Sequence, residues 1–310
     1  MIEPRILVIG AGVNGSAIAT SLYTNGVNVT VLARGKRYQE LSTEGIVIEN
    51  PLNHKRTITR VPVVDQLIPA DVYDYVLVVV RKNQALDLLP LLAYNQSPCI
   101  VFMGNNLVGP EEFVKILGKE RVMMGGVYAA GKRDGSLIRA LVIKSVASPI
   151  GEIDGRLTPR LKRLAEVIRR GGFKVGLSEN IVDTQMTHGV GVALIAAVVI
   201  KNGSDIHQLA RNTDDLKLYV AARREGHCMM QSLGHQIIPH TEVLLTSFPV
   251  FIQVIATRLL LNSKMGEVGL QYHISQAPDE MQQLIVELKE LVDQACIPLP
   301  AIRKVLGSQL

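Results

Sequence analysis

Residues 5–34 read RILVIGAGVNGSAIATSLYTNGVNVTVLAR and decide the fold of the first half of the chain. Residues 5–10 are an apolar, β-branched run that predicts a strand, and residues 17–23 have helical periodicity before Asn25 and Gly26. Residues 29–33 then predict a second strand. A strand, a glycine-rich turn, a helix and a second strand within about 35 residues indicate a βαβ unit, whose crossover is right-handed.

Similar patterns continue to about residue 178 and then stop. Continuous apolar runs at 75–80, 99–103, 122–127 and 173–177 predict buried strands, and residues 84–92, 110–117 and 160–170 predict helices between them. The later segments, 181–201, 205–233, 240–261 and 279–296, all have helical character. We therefore expect an α/β fold: a doubly wound parallel sheet in residues 1–178 and an all-helical domain in residues 179–310.

Composition excludes several classes of protein. The 310 residues are 47% hydrophobic and 20% charged, which is typical of a globular protein. The net charge of +5 is scattered and Trp is absent, so we expect no nucleic-acid partner. Three cysteines without metal-ligand spacing predict no metal site. We expect no membrane span and no secretory signal, and hence a cytoplasmic location.

The glycine turn predicts a dinucleotide site. Gly10, Gly12 and Gly15 form a GxGxxG pattern between a strand and a helix, with Val13 and Asn14 inside it. In this context the first glycine permits the turn, the second admits a pyrophosphate and the third lets the helix pack on the strand. A glycine turn that binds no ligand is the alternative interpretation.

The residue that ends the second strand indicates which dinucleotide binds. A protein specific for NAD carries Asp or Glu there, whereas this chain has Arg34, followed by Lys36 and Arg37. A cation fits the 2′-phosphate of NADP(H) and argues against S-adenosylmethionine. The alternative is a solvated basic turn.

With these features in place, the chain resembles the ketopantoate reductase (2-dehydropantoate 2-reductase) family over nearly its whole length. The similar stretches are GAGVNGS (10–16), VTVLARGKR (29–37), DYVLVVVRKNQ (74–84), NNLVGPEE (105–112) and IGEIDG (150–155). The resemblance implies a Rossmann domain joined to a helical domain of the 6-phosphogluconate dehydrogenase type. It also implies NADPH-dependent reduction of a 2-oxo acid to a 2-hydroxy acid in the cleft between them, as in pantothenate biosynthesis.

The resemblance also assigns residues to the cofactor. Arg34 would hold the 2′-phosphate. Arg81 falls where members usually have a cofactor-binding Lys, with Lys82 beside it as a second cation for that role, and Gln84 matches a family Gln. Asn105 matches a family Asn at the nicotinamide end. Asn106 replaces a family Gly, an exchange that we expect to be tolerated because Asn also adopts left-handed backbone conformations.

The substrate site departs from the family. The first helix of the second domain carries a catalytic Lys in members, followed by two Asn at four-residue steps. Here those positions hold His188, Val192 and Ala196, which share one helical face. We expect His188 to act as proton donor. The alternative is a histidine that is hydrogen-bonded within the helical domain.

A second substrate residue is placed by counting from CIPLP at 296–300. Glu280 then falls on a family Glu, although it could also be a first-turn acid of a helix. The family Ser falls on Val268, so Ser263 and Ser275 are only candidates. His273 and Lys264 are alternatives that no motif supports.

The expected function is NADPH-dependent reduction of a small 2-oxo acid. Because the family Lys and both Asn are missing here, the alternative is a non-catalytic homologue that binds NADP(H) and has a sensing or regulatory role. A dehydrogenase of the opine or 3-hydroxy-acid type is the third interpretation. The apolar stretch 248–256 is compatible with a homodimer.

Overall fold

The computed structural model describes residues 3–126, 129–143 and 146–307, so the end of the predicted strand at Val127 lies outside the described residues. The chain divides into two compact units. The first comprises Met1–Gly104 and Pro110–Val182, and the second comprises Asn105–Gly109 and Asp183–Leu310. The predicted boundary at 178/179 differs from this division chiefly at Asn105–Gly109, because that loop packs with the helical unit.

Twelve strands in the described part of the chain all belong to the first unit. They are β1 (Arg5–Ile9), β2 (Asn28–Leu32), β3 (Ile46–Glu49), β4 (Arg56–Thr59), β5 (Val63–Val64), β6 (Tyr75–Val78), β7 (Ile100–Phe102), β8 (Val122–Gly125), β9 (Ala129–Asp134), β10 (Leu137–Val142), β11 (Ser148–Glu152) and β12 (Val175–Leu177). Five helices accompany them: α1 (Val13–Thr24), α2 (Gly35–Glu44), α3 (Lys82–Tyr94), α4 (Glu111–Leu117) and α5 (Pro159–Arg170).

The main sheet has eight strands in the order β12-β11-β8-β7-β6-β1-β2-β5. All neighbours are parallel except β8 and β11, which pair antiparallel. Strand β1 lies between β2 and β6, with Ile6 opposite Val29 and Tyr75. Ile6, Leu7 and Val8 are fully buried, as expected for a strand covered on both faces.

A second sheet of four strands, in the order β4-β3-β10-β9, has no counterpart in the sequence prediction. Glu49 on β3 is buried and accepts hydrogen bonds from Arg56 on β4 at 2.7 Å and from Arg139 on β10 at 3.1 Å. This carboxylate therefore ties three of the four strands together through charged hydrogen bonds.

The second unit is helical in the described residues. Its helices are α6 (Ile181–Lys201), whose first two residues belong to the first unit, α7 (Ile206–Arg211), α8 (Thr213–Ser232), α9 (Thr241–Ser247), α10 (Val250–Leu261), α11 (Lys264–Gly266), α12 (Tyr272–Gln276), α13 (Pro278–Gln294) and α14 (Pro300–Leu306). A π-helical segment, Glu267–Gln271, joins α11 to α12.

Two long helices of the prediction are each divided in the structure. The predicted helix at 205–233 is broken at Asn212, whose side chain caps α8 by accepting the N–H of Asp215 at 3.1 Å. The predicted helix at 240–261 is broken at Pro249, and α9 and α10 meet at an angle of 114°.

Helix α6 is the long apolar helix of the second unit. Among the described residues, only this single helix is long and apolar enough to cross a membrane, and 72% of its apolar window is buried inside the protein. The bent pair α9 and α10 meets the same test only if it is counted as one span. Burial of this kind is typical of a core helix.

Candidate functional site

Two of the three turn glycines are required by close packing within the first unit. Gly10 has φ +106°, and a Cβ atom there would lie 2.4 Å from the carbonyl oxygen of Val79. A Cβ atom on Gly15 would lie 1.7 Å from the carbonyl oxygen of Gly10. Any side chain at these positions would therefore displace the backbone, whether or not a ligand binds.

Gly12 differs because packing does not require it. A Cβ atom there would meet nothing within 4 Å. Gly12 is the N-cap of the twelve-residue helix α1, where no side chain caps the backbone and no acidic residue lies in the first turn. The amino end of α1 therefore keeps backbone N–H groups and a positive dipole end for an anionic group. These observations fit a dinucleotide pyrophosphate.

The side chains beside Gly12 hold the turn in place. Val13 is half-buried, and Asn14 accepts the backbone N–H of Ala129 at 3.1 Å, which joins α1 to β9. Asn14 therefore has a structural contact that its position in the motif did not reveal.

Replacing Gly12 by alanine separates ligand binding from folding. Its φ of −80° suits alanine, and the added methyl group contacts no protein atom, so we expect an unchanged melting temperature. The methyl group would occupy the approach of a pyrophosphate, so NADPH affinity should fall by about tenfold or more, or about 1.4 kcal/mol. Calorimetric titration measures this, with Gly176→Ala on β12 as the control. Unchanged affinity in Gly12→Ala would contradict binding at this turn.

Two arginines occupy different positions after β2. Arg34 is the N-cap of α2 and its side chain is exposed. Arg37 is nearly buried, and its Nε donates to the carbonyl oxygen of Ala11 in the glycine turn at 3.2 Å. The Nη2 of Arg37 is buried without a hydrogen-bond partner among the described residues, which also fits an anionic ligand beside the turn.

The loop after β6 carries three further residues that the sequence assigns to the cofactor. Arg81 is the half-buried N-cap of α3, and Gln84 is exposed on its first turn. Lys82 is buried, with its Nζ 3.7 Å from a carboxylate oxygen of Glu112 on α4. The structure thus places Arg81 and Gln84 at the surface near the carboxyl end of a central strand, where such sheets bind ligands.

In the helical unit, Asn105 and Glu280 are brought together although 175 residues separate them. Asn105 Nδ2 donates to Glu280 Oε1 at 2.8 Å. The second oxygen, Oε2, lies 3.3 Å from Nε2 of His273 on α12. Glu280 is thus a first-turn acid of α13 and also the centre of a polar cluster.

The loop that carries Asn105 is anchored in the same unit. Leu107 is fully buried, and a Cβ atom on Gly189 of α6 would come within 2.4 Å of its side chain. Asn106 does not use a left-handed conformation, contrary to our expectation. Instead its side chain accepts from Val108 N at 3.1 Å and donates to Gly109 O at 2.6 Å, which closes the loop.

His188 on α6 is electrostatically connected to this cluster. Its side chain is exposed in part, but the surrounding protein removes enough water to lower the pKa of the ring below the usual 6.5. The charge of His273 lowers this pKa further, whereas Glu242 and Glu280 raise it. Neutral imidazole is therefore the main form of His188 at pH 7.

The other two residues on the His188 face of α6, Val192 and Ala196, differ in how far they are exposed to solvent. Val192, one turn after His188, is half-buried and can meet a ligand. Ala196, two turns after His188, is fully buried. Of the two positions where family members carry Asn, only that of Val192 can therefore contact a small molecule.

A group of polar residues on α8 and α9 was missed by the sequence analysis. Arg223 forms an ion pair with Glu242, and Thr246 Oγ1 lies 3.2 Å from Nδ1 of His227. Burial raises the pKa of Tyr219, and the positive charge of Arg223 reduces this shift. These residues have no motif spacing, so only the fold brings them together.

Glu280→Gln tests the electrostatic connection between the cluster and His188. Gln retains an oxygen that can accept from Asn105 but removes the charge that raises the pKa of His188. We expect the pKa of His188 to move further down, as read from an NMR titration of its ring protons. Glu290→Gln, on an exposed position of the same helix, is the matched control. An unchanged His188 titration in Glu280→Gln would be the contradictory result.

Comparison with known proteins shows which family the first part of the chain resembles. Residues 6–145 match the family model described as Ketopantoate reductase PanE/ApbA. This part of the chain is thus similar to that family. The 2-dehydropantoate 2-reductase of Archaeoglobus fulgidus is 27% identical over 247 residues, which cover 77% of this chain and 78% of that protein. The predicted resemblance to ketopantoate reductases is thereby confirmed.

Solved structures extend the similarity to nearly the whole fold. A 2-dehydropantoate 2-reductase from Geobacter metallireducens GS-15 has a TM-score of 0.77 at 17% identity, covering 98% of each chain. A D-mandelate dehydrogenase in a ternary structure with NADH and anilino(oxo)acetate has a TM-score of 0.75 at 13% identity, covering 98% of this chain and 96% of that one. The predicted fold class, a parallel-rich sheet followed by a helical region, is confirmed.

Proposed function

We propose that this chain is a cytoplasmic, NADP(H)-dependent oxidoreductase that interconverts a 2-oxo acid and a 2-hydroxy acid. The observation that carries the proposal is the cluster of Asn105, His273 and Glu280, in which Glu280 and His273 act electrostatically on a solvent-accessible His188. Relatives named 2-dehydropantoate 2-reductase and D-mandelate dehydrogenase, both oxidoreductases by name, support the same reaction class.

Residues of the first unit are suited to hold the dinucleotide. The backbone at Gly12 and the first turn of α1 would bind the pyrophosphate, and exposed Arg34 would pair with a 2′-phosphate. Arg81 and Gln84 provide further polar contacts beside them. When bound, the reduced nicotinamide supplies the hydride for the carbonyl carbon. The absence of Asp or Glu at the end of β2 favours NADP(H) over NAD(H).

His188 is proposed to exchange the proton of the substrate oxygen. Reduction of a carbonyl leaves negative charge on that oxygen, and a protonated imidazole would donate the proton that makes the hydroxyl group. In the reverse direction, neutral His188 would accept the hydroxyl proton. Because its pKa lies below 6.5, the neutral form that oxidation needs is the abundant one at pH 7.

Asn105 and Glu280 are proposed to position the substrate. The Asn105 amide donates to Glu280 at 2.8 Å. This hydrogen bond fixes the orientation of the amide, which can itself form a hydrogen bond to the substrate. His273, on the other oxygen of Glu280, limits the motion of this carboxylate. Fixed donors and acceptors of this kind favour reaction because they need no reorganisation in the transition state.

The apolar side chain of Val192 favours a substrate whose own side chain is apolar. An Asn at this position would hydrogen-bond a polar substituent, whereas burying an unpaired hydroxyl against Val192 would cost roughly 1–3 kcal/mol. We therefore propose that 2-oxo acids with branched or aromatic hydrocarbon side chains are better substrates than the hydroxylated ketopantoate.

A panel of 2-oxo acids tests this proposal. Purified protein is assayed with NADPH and ketopantoate, pyruvate, 2-oxoisovalerate and phenylglyoxylate, and with NADP⁺ and the matching hydroxy acids. We expect turnover that is highest for the two larger apolar acids. Tight NADPH binding without turnover of any compound would instead favour the non-catalytic homologue, and faster turnover of ketopantoate would contradict the role given to Val192.

A further inference from the structure

A row of polar side chains on α8 faces a second polar row on α9. Tyr219, Arg223 and His227 recur at four-residue steps, so they lie on one face of α8. Arg223 forms an ion pair with Glu242, and His227 Nδ1 lies 3.2 Å from Thr246 Oγ1. Glu242 and Thr246 are likewise one turn apart on α9. Arg223 therefore lies in the middle of a polar layer between these two helices.

Arg223 has hydrogen-bonding groups that the fold does not use. Its Nη2 donates to Glu242, whereas its Nε and Nη1 donate to no residue in the described part of the chain. The hydroxyl of half-buried Tyr219 also makes no hydrogen bond to a described residue. The Arg223 side chain is 22% exposed, so a ligand can reach it from solvent. The neighbouring Arg224 differs, because its Nε and Nη2 both donate to carbonyl oxygens at the end of α9.

Contacts between α8 and α6 show which part of α6 lies beside Arg223. Lys201, the last residue of α6, pairs with Asp215 in the first turn of α8 at 2.5 Å. Further along α8, a Cβ atom on Gly226 would lie 3.0 Å from the side chain of Val190. The two helices are therefore antiparallel, and the same number of residues separates the two contacts on each helix. Arg223, one turn before Gly226, is thus level with the residues that follow Val190.

The beginning of α9 approaches the same part of α6. The N–H of Ile238 donates to Thr187 Oγ1 at 3.1 Å, and Thr187 directly precedes His188. Glu242 follows four residues after Ile238, and its negative charge raises the pKa of His188. Solvent screens such effects over longer distances, so the Glu242 carboxylate lies near the His188 ring. Arg223 and His188 are therefore neighbours of the same carboxylate.

The substrate class proposed above is anionic, but the residues proposed to contact it supply no permanent positive charge. A 2-oxo acid carries a carboxylate next to its carbonyl group. Glu280 is itself an acid, and the lowered pKa of His188 leaves its ring mainly neutral at pH 7. A guanidinium matches a carboxylate well, because its planar donors can pair with both oxygens. Arg223 supplies such a group on the helix next to α6.

We propose that Arg223 binds the carboxylate of the 2-oxo acid, with the Tyr219 hydroxyl as a second donor, an inference that rests on the proposed function. In the free chain Glu242 neutralises Arg223, and the substrate would use the guanidinium nitrogens that Glu242 leaves available. A carboxylate held in this way restricts where the adjacent carbonyl group can lie, which favours its reaction with His188. Neither Arg223 nor Tyr219 belongs to the motifs from which substrate residues were assigned.

Calorimetric titration of phenylglyoxylate into the full chain with excess NADP⁺ tests the proposal. The acid binds without reacting because NADP⁺ has no hydride to give. The uncharged phenylglyoxylamide is titrated in parallel. In Arg223→Gln we expect the Kd of the acid to rise by about 10–100-fold, as for a lost charged hydrogen bond, and the Kd of the amide to stay unchanged. Lys217→Gln removes the same charge from a 60% exposed side chain on α8 and should bind both compounds like the wild type.

A double variant separates carboxylate binding from loss of the ion pair. Arg223→Gln leaves Glu242 without its charged partner, whereas Arg223→Gln combined with Glu242→Gln removes both charges. We expect the double variant to keep the selective loss of affinity for the acid, because the cation that binds the carboxylate is still missing. Return of wild-type affinity in the double variant would show that Arg223 acts only by neutralising Glu242, and would overturn the proposal.

The results also distinguish this proposal from the proposed function. Equal weakening of the acid and the amide in Arg223→Gln, an unchanged Kd of the acid, or no binding of the acid by the wild type overturns the role given to Arg223. Selective weakening of the acid supports that role, whether or not the bound acid is reduced when NADPH replaces NADP⁺. An acid that binds through Arg223 but is never reduced would count against the proposed function alone.

Discussion

Replacing His188 by alanine is expected to reduce kcat by about 10²–10⁴-fold, the usual contribution of a general acid or base. NADPH affinity should be unchanged, because the residues proposed to bind the phosphates of the dinucleotide belong to the first unit. Steady-state kinetics and calorimetry on the same preparation measure the two effects. His207→Ala, at an exposed position on α7, is the matched control and should retain full activity. A His188→Ala variant with wild-type kcat would remove this residue from the mechanism.

The pH dependence gives a second measure of the same residue. Reduction needs protonated His188, so kcat for reduction should fall as the pH rises through a pKa below 6.5. Oxidation needs the neutral ring, so kcat for oxidation should rise through the same pKa. In His188→Gln both limbs should disappear, because glutamine does not titrate. Profiles that keep their inflection in this variant would assign it to another group.

The first βαβ unit could be predicted because its determinants are local. Burial on both faces gives β1 an uninterrupted apolar run, and Gly10 and Gly15 are required by contacts at 2.4 and 1.7 Å within that unit. The second sheet could not be predicted in this way. Three of the four residues of β4 are exposed, so its sequence lacks the apolar pattern of a buried strand. Glu49 is a residue type usually found at the surface, and its buried hydrogen bond to Arg139, 90 positions later, forms only in the folded chain.

The helical unit was predicted in type but not in its breaks. Helix α6 extends over residues 181–201 as expected, because its apolar character is continuous. The bend at Pro249 was missed because the apolar pattern runs through it without interruption. The stretch 248–256 could be read as core or as a subunit contact, and most of it is exposed in the structure. Hydropathy alone does not tell a buried apolar residue from an exposed one.

The candidate substrate site was only partly accessible from the sequence. His188 and Glu280 were found by their positions relative to family motifs. The contact between Asn105 and Glu280 joins residues 175 positions apart, and no spacing indicates it. Likewise, the ion pair of Arg223 with Glu242 depends on the turn between α8 and α9. Long-range polar contacts of this kind follow from the tertiary fold.

Arg34→Ala is expected to raise the Kd for NADPH by about 10–100-fold, because a charged hydrogen-bonded pair contributes about 1.5–3 kcal/mol. The Kd for NADH, which lacks the 2′-phosphate, should change little. Arg34 is exposed, so the melting temperature should be retained. Fluorescence titration of both nucleotides against the wild type and the variant measures the change in preference.

Arg37→Ala distinguishes a specific phosphate contact from a general loss of positive charge. Arg37 holds the glycine turn through its hydrogen bond to Ala11, so its removal should weaken NADPH and NADH by similar factors. Lys162→Ala, at an exposed position on α5, controls for the lost charge and should change neither affinity. If Arg34→Ala also weakened both nucleotides equally, or if the wild type bound NADH as tightly as NADPH, the guanidinium of Arg34 would not be the group that selects the phosphorylated cofactor.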